Sequence, residues 1–362
     1  MEHASRRGAG RGALVPVRQA AAAAIAVAAL AVGCLPGIGP RGFEPGDLRP
    51  AAVAGWGASG PDTLVLRFDE PVTAVPADFA LSCPSGCPAS VVEILPGTED
   101  GELSVRLDGS PGPGAQFAVS GSVLDFAGNM TAFVLPFWGW NPEPAGLIIN
   151  EVISEGSSTH PDLVEFRAMT AGDLAGLSFF VGTPADHELR HVFPSCRVEA
   201  GELVVLHLKP QGLPAELDET GALDASGGVD ATATGRDFWY RGEKGGIPGK
   251  NGALSLAIAP MGSVADAFLY SERYSDSDAD YAGFGTAAFR DRVCWLVDGG
   301  NWLAEGEEAR PEDCFRSAGT TATRSMCRSS SGADTDSAGD WHIVPSRGAT
   351  PGEPNSDETY EP

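Results

Sequence analysis

Residues Gly146 to Arg167 read GLIINEVISEGSSTHPDLVEFR, and the reading of this stretch decides the fold. Its first half carries Leu147, Ile149, Val152 and Ile153 around an Asn150-Glu151 pair, and its second half alternates Leu163, Glu165 and Arg167 against Val164 and Phe166. A period of two is the mark of a half-buried strand, so the stretch predicts two β-segments joined by a polar, turn-forming connection. The rest of the chain supports this reading. Gly 47 and Pro 28 among 362 residues make a turn-rich composition that suits many short strands better than long helices, and the protein is expected to be all-β. The length is enough for two or three domains, each with a core of its own.

Upstream, strand-like segments recur at 63–68, 90–95, 102–107, 116–120 and 132–137, separated by Pro, Gly and Asp clusters, which is the spacing of a sandwich over 51–140. Trp138-Gly139-Trp140-Asn141-Pro142-Glu143-Pro144 reads as a short, stiff junction. Downstream, strands are expected at 177–182, 188–193, 203–208, 254–258, 264–270, 322–327 and 341–344, within a second domain spanning 146–356. Two long insertions, 209–250 and 272–320, stand where binding loops are usually carried.

Gly146 to Arg167, taken with Trp341 and the closing Thr350-Pro351-Gly352-Glu353-Pro354-Asn355, resembles the lamin-tail domain. Asp173-Leu174-Ala175-Gly176-Leu177 and the run from Val198 to Leu206 match that family's turns and following strands. The resemblance implies an immunoglobulin-like sandwich with long loop insertions. Leu64 to Val72, with Val119 to Asn129 downstream, is similar to the bacterial Ig-like module of S-layer and other surface proteins, in which an Asp-x-Ala-Gly-Asn turn closes the last hairpin. The expected architecture is therefore two immunoglobulin-like β-sandwiches in tandem.

Arg6, Arg7, Arg11 and Arg18 precede an uncharged run from Ala20 to Gly33, the layout of a secretory signal over 1–33. Ala31-Val32-Gly33-Cys34 resembles the bacterial lipobox, in the relaxed form that spirochaetes use, which implies palmitate-type lipidation of Cys34 and a membrane anchor followed by a Pro-rich tether over 34–50. With Cys34 taken by lipid, Cys83, Cys87, Cys196, Cys294, Cys314 and Cys327 remain as an even set, expected to form disulfides in an oxidising compartment. Cys83 and Cys87 close a tight loop and are paired first. The other four allow three connectivities, among which the sequence does not choose.

A formal net charge of -25 argues against nucleic acid as a partner, because a polyanion needs a basic surface. One motif points elsewhere. His187-Glu188-Leu189-Arg190-His191 is a literal HExxH, in which two histidines on one helix face bind zinc and the glutamate activates water. In a strand, however, residues four apart sit about 13 Å from each other, too far to share a metal. The strand expected to end at Pro194 argues for that geometry, and neither catalytic, cofactor nor metal residues are assigned. Asp276-Ser277-Asp278-Ala279-Asp280 imitates an EF-hand loop but has Tyr281 and Ala287 where glycine and glutamate are required, leaving weak calcium binding by an acidic loop open.

The chain thus reads as a lipid-anchored protein of a bacterial cell envelope, at the outer membrane, the surface or a periplasmic leaflet. Its sandwiches are expected to be non-catalytic binding or display domains for a protein or glycan partner at the loops of the second. Two alternatives stay open: a zinc-dependent hydrolase built on the HExxH at 187–191, and a passive envelope-structural spacer.

Overall fold

The computed structural model describes residues 47–84, 86 and 88–361; the expected signal peptide, Cys34, most of the tether and Cys87 lie outside these. Two β-sandwiches follow one another, each around its own apolar cluster. In the first, Val53–Gly60, Thr63–Phe68, Glu102–Leu107 and Val91–Pro96 form one antiparallel sheet in that order. Period-two alternation sends Leu64, Leu66 and Phe68 inward from one strand and Leu103, Val105 and Leu107 from the next. In the facing sheet, Gln116–Asp125 pairs with Met130–Trp138 along its length and with the short Val72–Thr73 and Ala80–Ser82. The hairpin turn is built as its sequence implies: Asp125 accepts from the Asn129 backbone N–H (2.8 Å) and side chain (2.7 Å), and Gly128 takes φ +88°. Val53–Gly60 was not expected as a strand, because VAGWGASG offers little β-propensity and is held by its partner instead.

The second sandwich faces a six-stranded sheet against a five-stranded one. The first runs Arg236–Trp239, Leu203–His207, Leu163–Thr170, Gly146–Ile153, Met326–Arg328, Trp341–Ile343, and the second His187–Val192, Ser178–Gly182, Gly252–Ala257, Val264–Ser271, Phe315–Arg316. Phe166 meets Phe179 and Phe193 edge to face between them, with ring centroids 5.6 Å apart in each pair.

The opening pair of strands differs from the expected half-buried form in one respect. Leu163, Val164, Glu165 and Phe166 are all 0% exposed, because the chain's C-terminal segment lies over the outer face. A bulge places both Asn150 and Glu151 opposite Glu165. Glu151 accepts from Ser325 Oγ and from the Thr350 backbone N–H (2.9 Å), while Glu165 accepts from Asn150 Nδ2 (2.6 Å) and the Gly352 N–H (2.6 Å). Asn355 completes the cover, donating to Asn150 O (3.2 Å) and Arg328 O (2.8 Å). Arg328, itself fully buried, ties the bulge to the other sheet: it donates to Ile149 O (2.8 Å) and pairs with Asp266 (3.0 Å) and Asp334 (2.9 Å).

Both insertions contain regular structure that the sequence reading left out. The 209–250 segment supplies the buried strand Arg236–Trp239, added in parallel to Leu203–His207. Two buried carboxylates fold the rest of it: Glu216 accepts from the amides of Gln211, Gly212 and Leu213, and Glu219 from those of Ala225, Ser226 and Asp237. The 272–320 segment contains the helix Ala287–Asp298, capped by Thr286 and packed through Phe289, Val293 and Leu296.

The cysteine expectation needs correcting. Cys196, Cys294, Cys314 and Cys327 are all free thiols. The residues opposite Cys327 across its two strand pairings are Glu151 and His342, and Cys196 and Cys314 serve as small buried apolar groups, with burial pushing the Cys314 and Cys327 thiols far up. Cys83 is not among the free thiols; its expected partner Cys87 lies outside the described residues.

Burial pushes the Glu151 carboxyl upward, and burial together with the Glu151 charge pushes Glu165 well above its ordinary value. A raised carboxyl contributes stability that is fully present below its unfolded value, 4.5 here, and is lost as pH rises through the folded value. The melting temperature is therefore expected to fall between pH 5 and 8. Glu165→Gln should cost about 1–2 kcal/mol at pH 5, through the Gly352 amide, yet show a shallower fall. Asp266, raised by burial to about 7, contributes a fall of the same sign to both proteins. Parallel melting curves for the two would show that the glutamate pair does not titrate in this range.

Candidate ligand-binding cleft

The HExxH segment is the strand His187–Val192, paired antiparallel with Ser178–Gly182, and not a helix. His187 packs edge-on to Phe180, with Nδ1 3.2 Å from Thr183 O. His191 turns toward the core against Phe193, its Nε2 buried without a partner, and burial lowers its pKa to about 4. The residue as a whole is half-buried, with its ring edge turned from solvent. Glu188 is also engaged: its carboxylate pairs with Arg292 (2.7 Å), which also holds Asp186 (2.8 Å), fastening the helix to the strand. The three residues of the motif thus have separate structural tasks. In the acidic loop, Asp278 accepts from the amides of Tyr281 (2.7 Å) and Gly285 (2.8 Å) and from Arg273 (2.9 Å), so its oxygens build the turn.

The recess with the composition of a ligand site lies where the two sandwiches meet. Met130–Trp138 runs out into the junction at Trp138-Gly139-Trp140-Asn141. Gly139 is held in place by Ala115 O (2.9 Å) and the Gly114 N–H (2.9 Å), and a Cβ there would collide with Gly112 O. Asn141 locks the exit, its Nδ2 donating to Asp173 O (2.8 Å) and Ala175 O (2.9 Å) and its Oδ1 accepting from the Glu143 N–H (3.1 Å). The second sandwich adds the turn Ile258 to Ser263, closed by Ile258 N–H to Ser263 O (3.1 Å).

Trp56, Trp138 and Trp140 line one side of the resulting cleft, and Ile258, Pro260 and Met261 line the other, around about 310 Å³. Trp56 is fixed by donation from Nε1 to Pro136 O (2.7 Å), and the Arg190 guanidinium lies 5.1 Å from the Trp138 ring centre. Trp140, Ile258 and Met261 remain 39%, 46% and 47% exposed. Polar groups are few: Ser59, Arg67 and Asn141. The lining contains no carboxylate, imidazole or thiol, so it offers flat apolar surfaces and hydrogen bonding, and the Ser59 hydroxyl has no base within it to activate it. The sequence reading took this stretch for a linker, though the Trp-x-Trp spacing was there to mark it.

A wider recess of about 590 Å³, with His160, Asp230, Thr234, Arg347 and Glu353 in its lining, is more polar, and four of these groups form two pairs. His160 Nδ1 lies 3.1 Å from Asp230, and Thr234 donates to Glu353 (3.0 Å).

The strand geometry at 187–191 gives a direct expectation. Because the His191 Nε2 is buried and unpartnered, His191→Phe should leave stability unchanged or raise it by about 1 kcal/mol, read by denaturant unfolding at pH 7. Stoichiometric zinc bound by the wild type and lost in His187→Ala would contradict the structural assignment.

The model of the TP_1001 second-domain family matches residues 145–343. An uncharacterized protein of Treponema pallidum (strain Nichols) is 36% identical over 169 residues, which make up 46% of this chain and 42% of that protein. The match thus spans less than half the length of that relative. Among solved structures, the N-terminal part of the bacterial S-layer protein SbsC aligns with 60% of this chain and 43% of its own at 12% identity and a TM-score of 0.24. Domains 1–6 of the surface layer protein SbsC align with 62% and 41% at 12% identity and a TM-score of 0.25. The family match covers more than half of the sequence, and the chain belongs to the TP_1001 second-domain family.

Proposed function

We propose that this is a lipid-anchored protein of a bacterial envelope whose tandem sandwiches bind a glycan, without transforming it, in the tryptophan-lined cleft between them. The observation that carries this reading is the lining itself, in which three indoles face an apolar turn and no carboxylate, imidazole or thiol is present. A pyranose ring offers flat C–H faces to an indole and hydroxyls to Arg67 and Ser59, and the volume suits one or two sugar units. The anchor is Cys34, at the end of the uncharged run. The second sandwich is read as a relative of the lamin-tail domain: the residues that carry that resemblance, Glu151, Glu165, Trp341 and Thr350 to Asn355, come together around one buried network. A passive spacer would share the anchor and the fold but would bind nothing.

Titration calorimetry with a panel of neutral oligosaccharides, such as N-acetylglucosamine, glucose and galactose tetramers, tests the cleft. At least one should bind, and Trp140→Ala should weaken it about tenfold or more with the melting temperature nearly unchanged, since Trp140 is partly exposed. Binding by none, or binding indifferent to Trp140→Ala, would favour the spacer. Independently, Cys34→Ser should abolish incorporation of labelled fatty acid; continued incorporation would overturn the anchor assignment.

A further inference from the structure

The hairpin Gln116–Asp125 / Met130–Trp138 carries one charged residue, Asp125, in a protein of which 20% is charged. Asp125 is buried in the turn, so the hairpin presents no charge of its own to solvent. Its outer face presents apolar side chains instead. Leu124 and Met130 are cross-strand neighbours, 45% and 63% exposed, Val134 on the same strand as Met130 is 72% exposed, and Phe126 at the tip is fully exposed. Exposed apolar side chains gathered on one hairpin of a strongly acidic protein mark a contact surface.

The place where the Pro-rich tether joins the first sandwich indicates what that contact is. Asp47 O accepts from Asn129 Nδ2 (3.1 Å) and Ala51 O from Thr131 Oγ1 (2.5 Å), so the chain enters the first sandwich beside the Phe126 turn. Asp47 is 13 residues beyond Cys34, a contour of at most about 45 Å. A tether of this length lets the Phe126 end of the sandwich reach the bilayer surface. We infer that the Leu124, Phe126, Met130 and Val134 surface docks on the membrane as a second contact, with Phe126 entering the headgroup and acyl boundary; this rests on lipidation at Cys34. Asp47, Glu70 and Asp125 group their carboxylates beside the turn, which selects a zwitterionic surface over an anionic one. Docking at the tip orients the sandwich and adds to the hold of the acyl chains.

The test uses the lipid-anchored full-length protein carrying Phe126→Trp in phosphatidylcholine vesicles, with the parent's emission subtracted. Lipids brominated near the headgroup should quench the added indole emission by about half or more and find it blue-shifted. Full emission in brominated vesicles would overturn the proposal. A blue shift that grows with protein concentration and ignores bromine would also overturn it, because a second copy would then be the occupant. Failure to float with vesicles would overturn the anchor reading instead, and the docking with it, so the two failures are distinguishable. Phe126→Asp, at a fully exposed position, should speed transfer to acceptor vesicles about tenfold; an unchanged rate counts against the contact.

Discussion

Two glutamates placed opposite each other in the middle of a buried sheet, Glu151 and Glu165, set the condition that the rest of the second sandwich meets. Buried carboxylates are costly unless donors reach them. The donors here come from far along the chain: Ser325, Thr350 and Gly352 supply a hydroxyl and two backbone N–H groups. The C-terminal segment therefore has to close over the outer face, and Ala349 then covers Ile153, Leu163 and Val205. Arg328 imposes a second condition, since its buried guanidinium links the Ile149 carbonyl at the bulge to Asp266 on the facing sheet. Together these fix the register of the opening strands, which a one-residue slip would invert.

That fixed frame places the cleft. Gly146–Ile153 begins a few residues after Asn141, whose amide is tied to Asp173 and Ala175 in the second sandwich. The junction is thus a hydrogen-bonded seam, and Trp138 and Trp140 are held opposite the Ile258 to Ser263 turn instead of swinging on a loose linker. Arg197 to Glu143 (3.1 Å) spans the same seam, but both side chains are mostly exposed and it adds little.

The alternation of residues such as Leu64, Leu66 and Phe68 made the all-β architecture and most strands legible in the sequence, because period two survives wherever one face meets a core. What it did not reveal depended on distant partners. The outer face of Leu163–Thr170 looked solvent-facing because Glu165 and Arg167 are polar, and only the C-terminal cover buries Glu165. Arg236–Trp239 lies inside a Gly- and Asp-rich stretch, and its Arg236 is satisfied by the Glu219 and Gly221 carbonyls, which no local pattern announces. The helix Ala287–Asp298 did have a local signal, with Phe289, Val293 and Leu296 on one side, but it was submerged in a long insertion. An even number of cysteines suggested bridges, whereas strand register placed Glu151 and His342, not another cysteine, opposite Cys327. The cleft was missed because its walls come from both sandwiches.

The lining of the cleft, three indoles beside an apolar turn with few polar groups, suits the glycan binding proposed for it. Glu216, Glu219 and Asp278 are spent on internal turns, and the indoles of the cleft are the recognition surface proposed here. The most direct measurement is an indole ¹⁵N–¹H titration of the protein, whose seven tryptophans each give one resonance, with the bound oligosaccharide. The account expects Trp138 and Trp140, with Trp56 beside them, to shift in proportion to saturation while Trp239, Trp302 and Trp341 stay still. Shifts confined to the latter group, or none at saturating ligand, would contradict it.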